Sequence, residues 1–451
     1  MDPAWLQLEK LIKSEEDSII KVEARNVPGA GRGLFAIQDL AALETLISVP
    51  GRLLLNARTL STRYPELILP QSTPTPEIDS LRHSSIQLLS LHLYRFKRGV
   101  KDATFDAYIN TLPASFSDHP IAIMQKPELR LLILELVPVS VGRMLLSVEQ
   151  RLKDDWKLAL DTMVRVPDLS PPGCKGDIEH SKLLPEDYIW AWLNVNTRCL
   201  YHDLDFLQSS DNVTMCPILD FANHTSMDSV SIIQDEFALG DGMAFSTSSP
   251  IKEGDQIYLR YGGHSNAFLF SEYGFVLPLD LKKAHITNAE ITIDSDVEEL
   301  LRGAKNFKCK EQLLKDKNYW GDWSLHVNLE DGEARPSYRV IPALRLLHIA
   351  LDSKGNMNRE LRFWEDSILG LTENVSMENE SKVRESVIAL CERIVRRSIK
   401  KISQIKSQMA GNKSTKPAEW LRVLSTIERL WEEERYVAES VRQSTLNGIV
   451  F

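Results

Sequence analysis

Apolar residues are spaced in two different ways along this chain. In residues 18–60 they come in short runs cut by turns, the spacing of β-strands. "SIIKVEARNV" alternates in part, "PGAGRG" is a glycine-rich turn, and "LFAIQDLAALETLISVP" is an apolar stretch that stops at Pro50. From about 75 to 190 the spacing becomes helical in "SSIQLLSLHLYRFKRG" and "KPELRLLILELVPVSVGRMLLSVEQRLKDDWKLALDTMV". "FDAYINTLPASFSDHP" is a loop between them, "PPGCKGD" breaks the pattern, and "LPEDYIWAWLNVNTRCL" reads as a helix with Pro185 near its start. Strand-and-turn spacing returns from "MCPILDFANH" to "IYLRYGG". The expected fold is therefore α+β, with a β-rich unit split by a helical insertion.

Beyond about residue 290 the spacing is helical again, in "RPSYRVIPALRLLHIALD", in 383–406 and in "PAEWLRVLSTIERLWEEERYVAESV". Val383, Val387, Leu390, Ile394, Ile399, Ile402 and Ile405 fall largely on one apolar stripe. "ENVSMENES" and "AGNKSTKP" read as polar connectors. The expected division is 1–290, carrying the insertion at about 75–190, followed by an all-helical domain at 291–451.

Composition narrows the classes. The 451 residues are 43% hydrophobic and 26% charged, ordinary for a globular protein. A net charge of -10 and a pI near 5.6 speak against a general nucleic-acid binder. The acidic body suits a cationic substrate through long-range attraction, or serves solubility alone. Cys174, Cys199, Cys216, Cys309 and Cys391 are scattered without a CxxC, so neither a zinc ribbon nor a disulfide framework is expected, and a reducing compartment fits. "MDPAWLQLEKLIKSEEDSII" has no apolar signal core and is too acidic for a transit peptide. The most apolar long run is interrupted by Arg130, Glu135 and Arg143, so no membrane span is expected.

Five short motifs carry polar or aromatic groups suited to a site. "PGAGRGLFA" can bring backbone close to a ligand, although a hairpin turn alone explains it and no phosphate-loop lysine follows. Arg198 in "NVNTRCL" suits a carboxylate, or is structural. "PILDFANHT" holds Asp220, Asn223 and His224 after an apolar run, with no partner spacing for a metal. "GDQIYLRYGG" supplies Tyr258 and Tyr261, and strand alternation puts them on opposite faces. "YGGHSNAFLFSEYGF" repeats a Tyr-Gly pair, with Tyr273 twelve residues after Tyr261. Taken one at a time, these tyrosines read as core.

In order, GRG, TR, DFANH, IYLRYG and SEYGF resemble the SET-domain methyltransferases. The resemblance is to the branch with a helical insertion and a helical C-terminal lobe, which includes the Rubisco large-subunit lysine methyltransferase. "FDAYINTLP", the "SNA" between the Tyr-Gly pairs, and "IPALRLLHIA" are similar to segments of that branch. The resemblance covers about residues 20–290 well and the rest loosely.

The resemblance implies S-adenosylmethionine as cofactor, S-adenosylhomocysteine as product, and no metal. Backbone at Ala30, Gly31 and Arg32 would hold the ammonium end, and Arg198 the carboxylate. Asn223 and His224, after Asp220, would bind the adenine region. Tyr273 and Phe275 would complete the pocket and its channel, and Tyr261 would be the catalytic tyrosine. Leu200 would line the channel: the histidine-methylating member of the branch has asparagine at this position, and an apolar wall suits a lysine stem better. A protein-lysine methyltransferase is thus expected, with a protein-histidine methyltransferase and an inactive SET-fold binding module as alternatives. The expected partner is a protein presenting a lysine outside plastids, with the chain monomeric, cytoplasmic or nuclear, and free of direct nucleic-acid or membrane contact. The C-terminal helices are expected to dock the substrate. Their basic stretch Arg393, Arg396, Arg397, Lys400 and Lys401 would meet an acidic patch or simply face solvent.

Overall fold

The computed structural model describes residues 2–68, 82–172, 184–205, 211–227, 231–235, 241–279, 287–351, 359–411, 417–449 and 451. Residues 173–177 of the expected break, Cys174 included, and 412–416 of the expected connector lie outside them, as do 75–81 of the expected insertion. Two compact units make up the chain, one of residues 1–117 and 147–263, the other of 118–146 and 264–451.

The first unit is built on short strands: β1 Ile19–Ile20, β2 Val22–Val27, β3 Gly31–Ala36, β4 Thr45–Val49, β5 Leu55–Asn56, β6 Cys199–Tyr201, β7 Val213–Met215, β8 Asn223–His224, β9 Ser231–Asp235, β10 Met243–Thr247 and β11 Gln256–Leu259. One sheet runs β1-β4-β10-β9-β11-β3-β2, with β8 also paired to β11, and a second runs β5-β7-β6. β2 and β3 form a hairpin whose register sets Val27 opposite Gly31. Gly29 turns it at φ +79°, a conformation that favours glycine. Helical segments from Ser85–Lys97 to Glu186–Arg198 separate β5 from β6, which is the expected insertion. A reciprocal cap between Ser84 and Gln87 starts the first of them, and the two helices named pack on each other. Glu186–Arg198 buries Tyr188 through Val195 and gives way at Arg198 to the extended Cys199. A further helix, Pro3–Lys13, was not foreseen; Trp5, Leu8 and Ile12 are its buried stripe.

The second unit is largely helical, as expected, but not wholly so. β12 Asn288–Thr292, β13 Ser324–Asn328 and β14 Ala334–Pro336 form a small antiparallel sheet. Its core joins Ile291, Trp323, Leu325, Leu344, Trp364 and Val437. The helices Met377–Ala410 and Ala418–Leu446 pack along each other. Val383, Val387, Leu390, Ile394, Ile402 and Ile405 are buried on the first, whereas Ile399 is 52% exposed and Ser398 takes its place. Spacing explains the correction, since five residues past Ile394 the helix has turned well off the stripe. Residues 264–279 belong with this unit: Asn266 is bonded through both side-chain atoms to the backbone of Leu277. No helix among the described residues is long and apolar enough to cross a membrane.

Candidate active site

Parallel pairing of β8 with β11 aligns Asn223 with Tyr258 and His224 with Leu259. β11 stops at Leu259, so Tyr261 lies past its end and the strand alternation expected for it does not apply. The Tyr261 amide donates to His224 Nδ1 at 3.2 Å and its hydroxyl donates to the Ala222 carbonyl at 2.8 Å. Because Nδ1 accepts from an amide, the imidazole carries its hydrogen on Nε2. The two rings lie 4.9 Å apart, tilted by 32°. DFANH and RYG are thereby tied into one local structure.

The Asn223 side chain lies against β3. A Cβ on Gly33 would come within 2.9 Å of Asn223 Nδ2 and 2.7 Å of Gln256 Nε2, so a larger residue would displace them. Asn223 Nδ2 is buried and donates to no acceptor among the described residues, a cost unless something else accepts from it.

Arg198, at the end of its helix, donates from Nη1 to Asp220 Oδ2 at 2.9 Å and to the Asp220 carbonyl at 2.8 Å. The Asp220 side chain is fully buried. Its Oδ2 also accepts from the Tyr108 hydroxyl at 3.0 Å, while Oδ1 has no partner. Burial pushes the Asp220 carboxyl up, against the opposing pull of Arg198, Tyr108 and Arg32. Arg198 Nε is a second buried donor without an acceptor among the described residues.

Both guanidiniums face Phe221, Arg32 at 4.6 Å from the ring centroid and Arg198 at 5.7 Å, and Trp5 meets the same ring edge-on at 5.5 Å. Arg32 also bonds Asp2 and the Thr111 carbonyl, and burial followed by repulsion from Arg198 lowers its pKa. Burial, with Asp220 adding to it, pushes the thiols of Cys199 and Cys216 up, so neither supplies a thiolate.

A backbone turn sends Asp220 inward. Ile218 sits at φ +69° and ψ -53°, and Leu219 N donates to Pro217 O at 2.8 Å across it. This is a γ-turn of positive φ, a strained conformation for a β-branched residue that the surrounding packing must hold.

Each expected site residue has a definite place. The Ala30 amide is committed to Val27 O within the hairpin, and Gly31 and Arg32 lie in register with Val27 and Asn26. Leu200 is half-buried on β6 opposite Thr214. Arg198, Asp220, Asn223, His224 and Tyr261 are brought together through the 220–224 segment, and there Asp220 is bound to Arg198. Tyr273 and Phe275 belong to the second unit, 6.1 Å apart by ring centroids. There His119 accepts from Ile121 N at 3.2 Å and so donates from Nε2 to the Glu272 carbonyl at 3.1 Å. Sequence reasoning assigned no role to Tyr108, Phe221, Trp5 or His119. "FDAYINTLP" was recognised, but no local pattern says that its tyrosine reaches a carboxylate 112 residues on.

The basic stretch of the Met377–Ala410 helix is largely engaged within its own unit. Arg397 is bidentate on buried Asp296 at 2.9 and 3.1 Å, Arg393 lies 3.4 Å from the same carboxylate, and Lys401 donates to the Glu135 carbonyl. Arg396 and Lys400 are exposed.

With this geometry in hand, known proteins offer a comparison. The SET domain family model matches residues 31–262, just over half of the chain. The ribosomal lysine N-methyltransferase set11 of Schizosaccharomyces pombe is 26% identical over 335 residues, 73% of this chain and 71% of that protein. SET domain-containing protein 4 of Homo sapiens is 24% identical over 436 residues, 95% of this chain and 88% of its own. The crystal structure of the SET domain of LSMT bound to lysine and AdoHcy superposes with a TM-score of 0.60 at 20% identity, covering 99% of this chain and 91% of that one. Rubisco LSMT bound to AdoMet gives 0.56 at 17% identity, covering 99% and 93%. At such identity these structures establish the fold.

Proposed function

The chain belongs to the SET-domain family, and on that premise we propose that it is an S-adenosylmethionine-dependent protein-lysine N-methyltransferase. The carrying observation is the pair of buried donors without acceptors among the described residues, Arg198 Nε beside Asp220 and Asn223 Nδ2 three residues on. Burying a donor unpaired is costly, so such a pair calls for a ligand that brings acceptors. A carboxylate and a heteroaromatic base are acceptors of the right kind, and the cofactor carries both. Arg198 would hold the carboxylate, and Asn223 with His224 the adenine region. Ala30, Gly31 and Arg32 would offer backbone to the ammonium end. The roles of Tyr273 and Phe275 rest on the resemblance alone.

When bound, the cofactor supplies a sulfonium methyl, an already activated donor. The chain's own task is then to align a neutral amine, and alignment of two reactants is worth about 7–11 kcal/mol. A lysine ammonium has a reference pKa of about 10.4 and no lone pair until it loses a proton. Desolvation beside a cation favours that loss. The Tyr261 hydroxyl gives its hydrogen to Ala222 O, so its oxygen would serve an incoming amine as an acceptor. Accepting an amine N–H there orients the nitrogen lone pair. Leu200, apolar and half-buried, suits an aliphatic stem rather than an imidazole. Four free cysteines among the described residues, in no disulfide, suit the cytoplasm or nucleus.

The test is incubation with labelled S-adenosylmethionine and a methylation-poor lysate, read by mass spectrometry. Methyl-lysine formed by the wild type and lost in Tyr261→Phe is the expected result. Label on an imidazole nitrogen would establish the histidine reading, and cofactor binding without any transfer the binding module.

A further inference from the structure

We propose that Tyr108 is a positioning residue of the cofactor site, a strut from the helical insertion that holds Asp220 so that Asp220 orients Arg198. The inference rests on the cofactor role given to Arg198 above, and deepens it.

Arg198 takes its pose from two oxygens of one residue, the carbonyl and Oδ2 of Asp220. A carboxylate in that position can rotate. What fixes it is the Tyr108 hydroxyl, which donates to the same Oδ2 at 3.0 Å. Tyr108 itself cannot swing away. It is buried on the short helix Asp106–Ile109, which the Thr111 hydroxyl closes by donating to the Tyr108 carbonyl at 2.6 Å. Arg32 reaches the Thr111 carbonyl from β3, so the same turn of the insertion holds Arg32 directly and Arg198 through Asp220.

The unpaired atoms show which way the arrangement points. Tyr108 and Arg198 both use Oδ2, leaving Oδ1 bare, while Arg198 keeps Nε unspent. A purely structural ion pair would be expected to use the bidentate geometry open to arginine and carboxylate. Here a single guanidinium nitrogen, Nη1, makes both bonds and Nε is left over, so a second anion can share the arginine.

Tyr108 also favours the charged form of Asp220. A donor to the ionised carboxyl favours that form, opposing the burial that pushes it up. Arg198, Tyr108 and Arg32 act on Asp220, and the Cys199 and Cys216 thiols feel its charge. Losing Tyr108 would therefore loosen the pose of Arg198 and move Asp220 protonation to higher pH.

The experiment is calorimetric titration of the full chain with S-adenosylhomocysteine across pH, for the wild type, Tyr108→Phe, Asp220→Asn and the double variant. Tyr108→Phe is expected to weaken binding roughly tenfold, in line with a hydrogen bond to a charged group. The acid limb of its pH profile is expected to move to higher pH. On the Asp220→Asn background the same change should have little further effect, because the two residues act as one unit. Should Tyr108→Phe fail to fold, Asp220→Asn alone, with Tyr108 intact, is expected to show the tenfold weakening, and wild-type affinity there would overturn the inference. Unchanged affinity and pH profile in a folded Tyr108→Phe protein would overturn it too, as would a loss that is equally large on the Asp220→Asn background. A wild-type chain that binds no S-adenosylhomocysteine would overturn the proposed cofactor site and this inference with it.

Discussion

Glu433→Gln is expected to stabilise the protein, and only above acid pH. Glu433 is 3% exposed on the Ala418–Leu446 helix. It has an amide, Asn266, as hydrogen-bond partner and the acidic Glu434 beside it, and its Oε1 is unpaired. Glu434 in turn faces Arg397, whose guanidinium is shared with Asp296. No cation among the described residues sits on Glu433 itself, so burial pushes its carboxyl from 4.5 to about 8. The sign follows from proton counting. Between those values the folded chain holds a proton that the unfolded chain has released, so stability falls as pH rises through the window. At about 1.4 kcal/mol per unit the full rise sets a ceiling of roughly 5 kcal/mol, reached only above pH 8. Glutamine has the shape of the protonated acid and never ionises. A gain of about 2–4 kcal/mol at pH 8 is expected, dwindling to nothing near pH 4.5. Denaturant unfolding at both pH values measures it, with amide exchange of residues 418–446 locating the effect. A variant no more stable than its parent at pH 8, or one whose advantage is the same at both pH values, would refute the burial argument.

Tyr261→Phe should leave the Kd for S-adenosylhomocysteine unchanged and lower kcat by about 100-fold, since it removes an aligning acceptor and no ligand contact assigned to the cofactor; single-turnover kinetics with calorimetry separate the two. Gly274→Ala should cost about 1–2 kcal/mol, because φ is +81° there and the new Cβ would lie 2.8 Å from the His119 ring; a thermal melt measures the loss. His92 and His119 are both pushed down to about 4 by burial, so their contribution is whole above pH 6.5 and drains away as pH falls from 6.5 towards 4. His119→Gln, which keeps a donor for Glu272 O, should flatten that acid limb when stability is followed from pH 7 to 4.

The order of elements was legible because its signals are local. Turn residues and two-residue alternation marked the β2–β3 hairpin, and helical spacing marked the insertion and the Met377–Ala410 stripe, Ile399 apart. Candidate residues for the site could be named because short motifs, GRG, TR, DFANH and RYG, resemble a family whose chemistry uses them. The β12–β14 sheet escaped because its strands are short and partly exposed, and its pairing is a tertiary fact. Pro3–Lys13 escaped because the acidic charges around it hid a stripe of only three buried residues.

What each site residue holds was not local. Arg198 and Asp220 are 22 residues apart, Tyr108 and Asp220 are 112, and nothing in "FDAYINTLP" shows that its tyrosine ends on a carboxylate. Sequence alone determined which groups the chain carries and in which elements. Only the tertiary structure decided that Asp220 faces Arg198 and Tyr108, that Tyr261 gives its hydrogen to Ala222, and that Asn223 keeps a buried donor unpaired. The reason is physical: hydrogen bonds and desolvation depend on distances of about 3 Å, and distance between remote residues is set by packing of the whole unit, not by spacing along the chain.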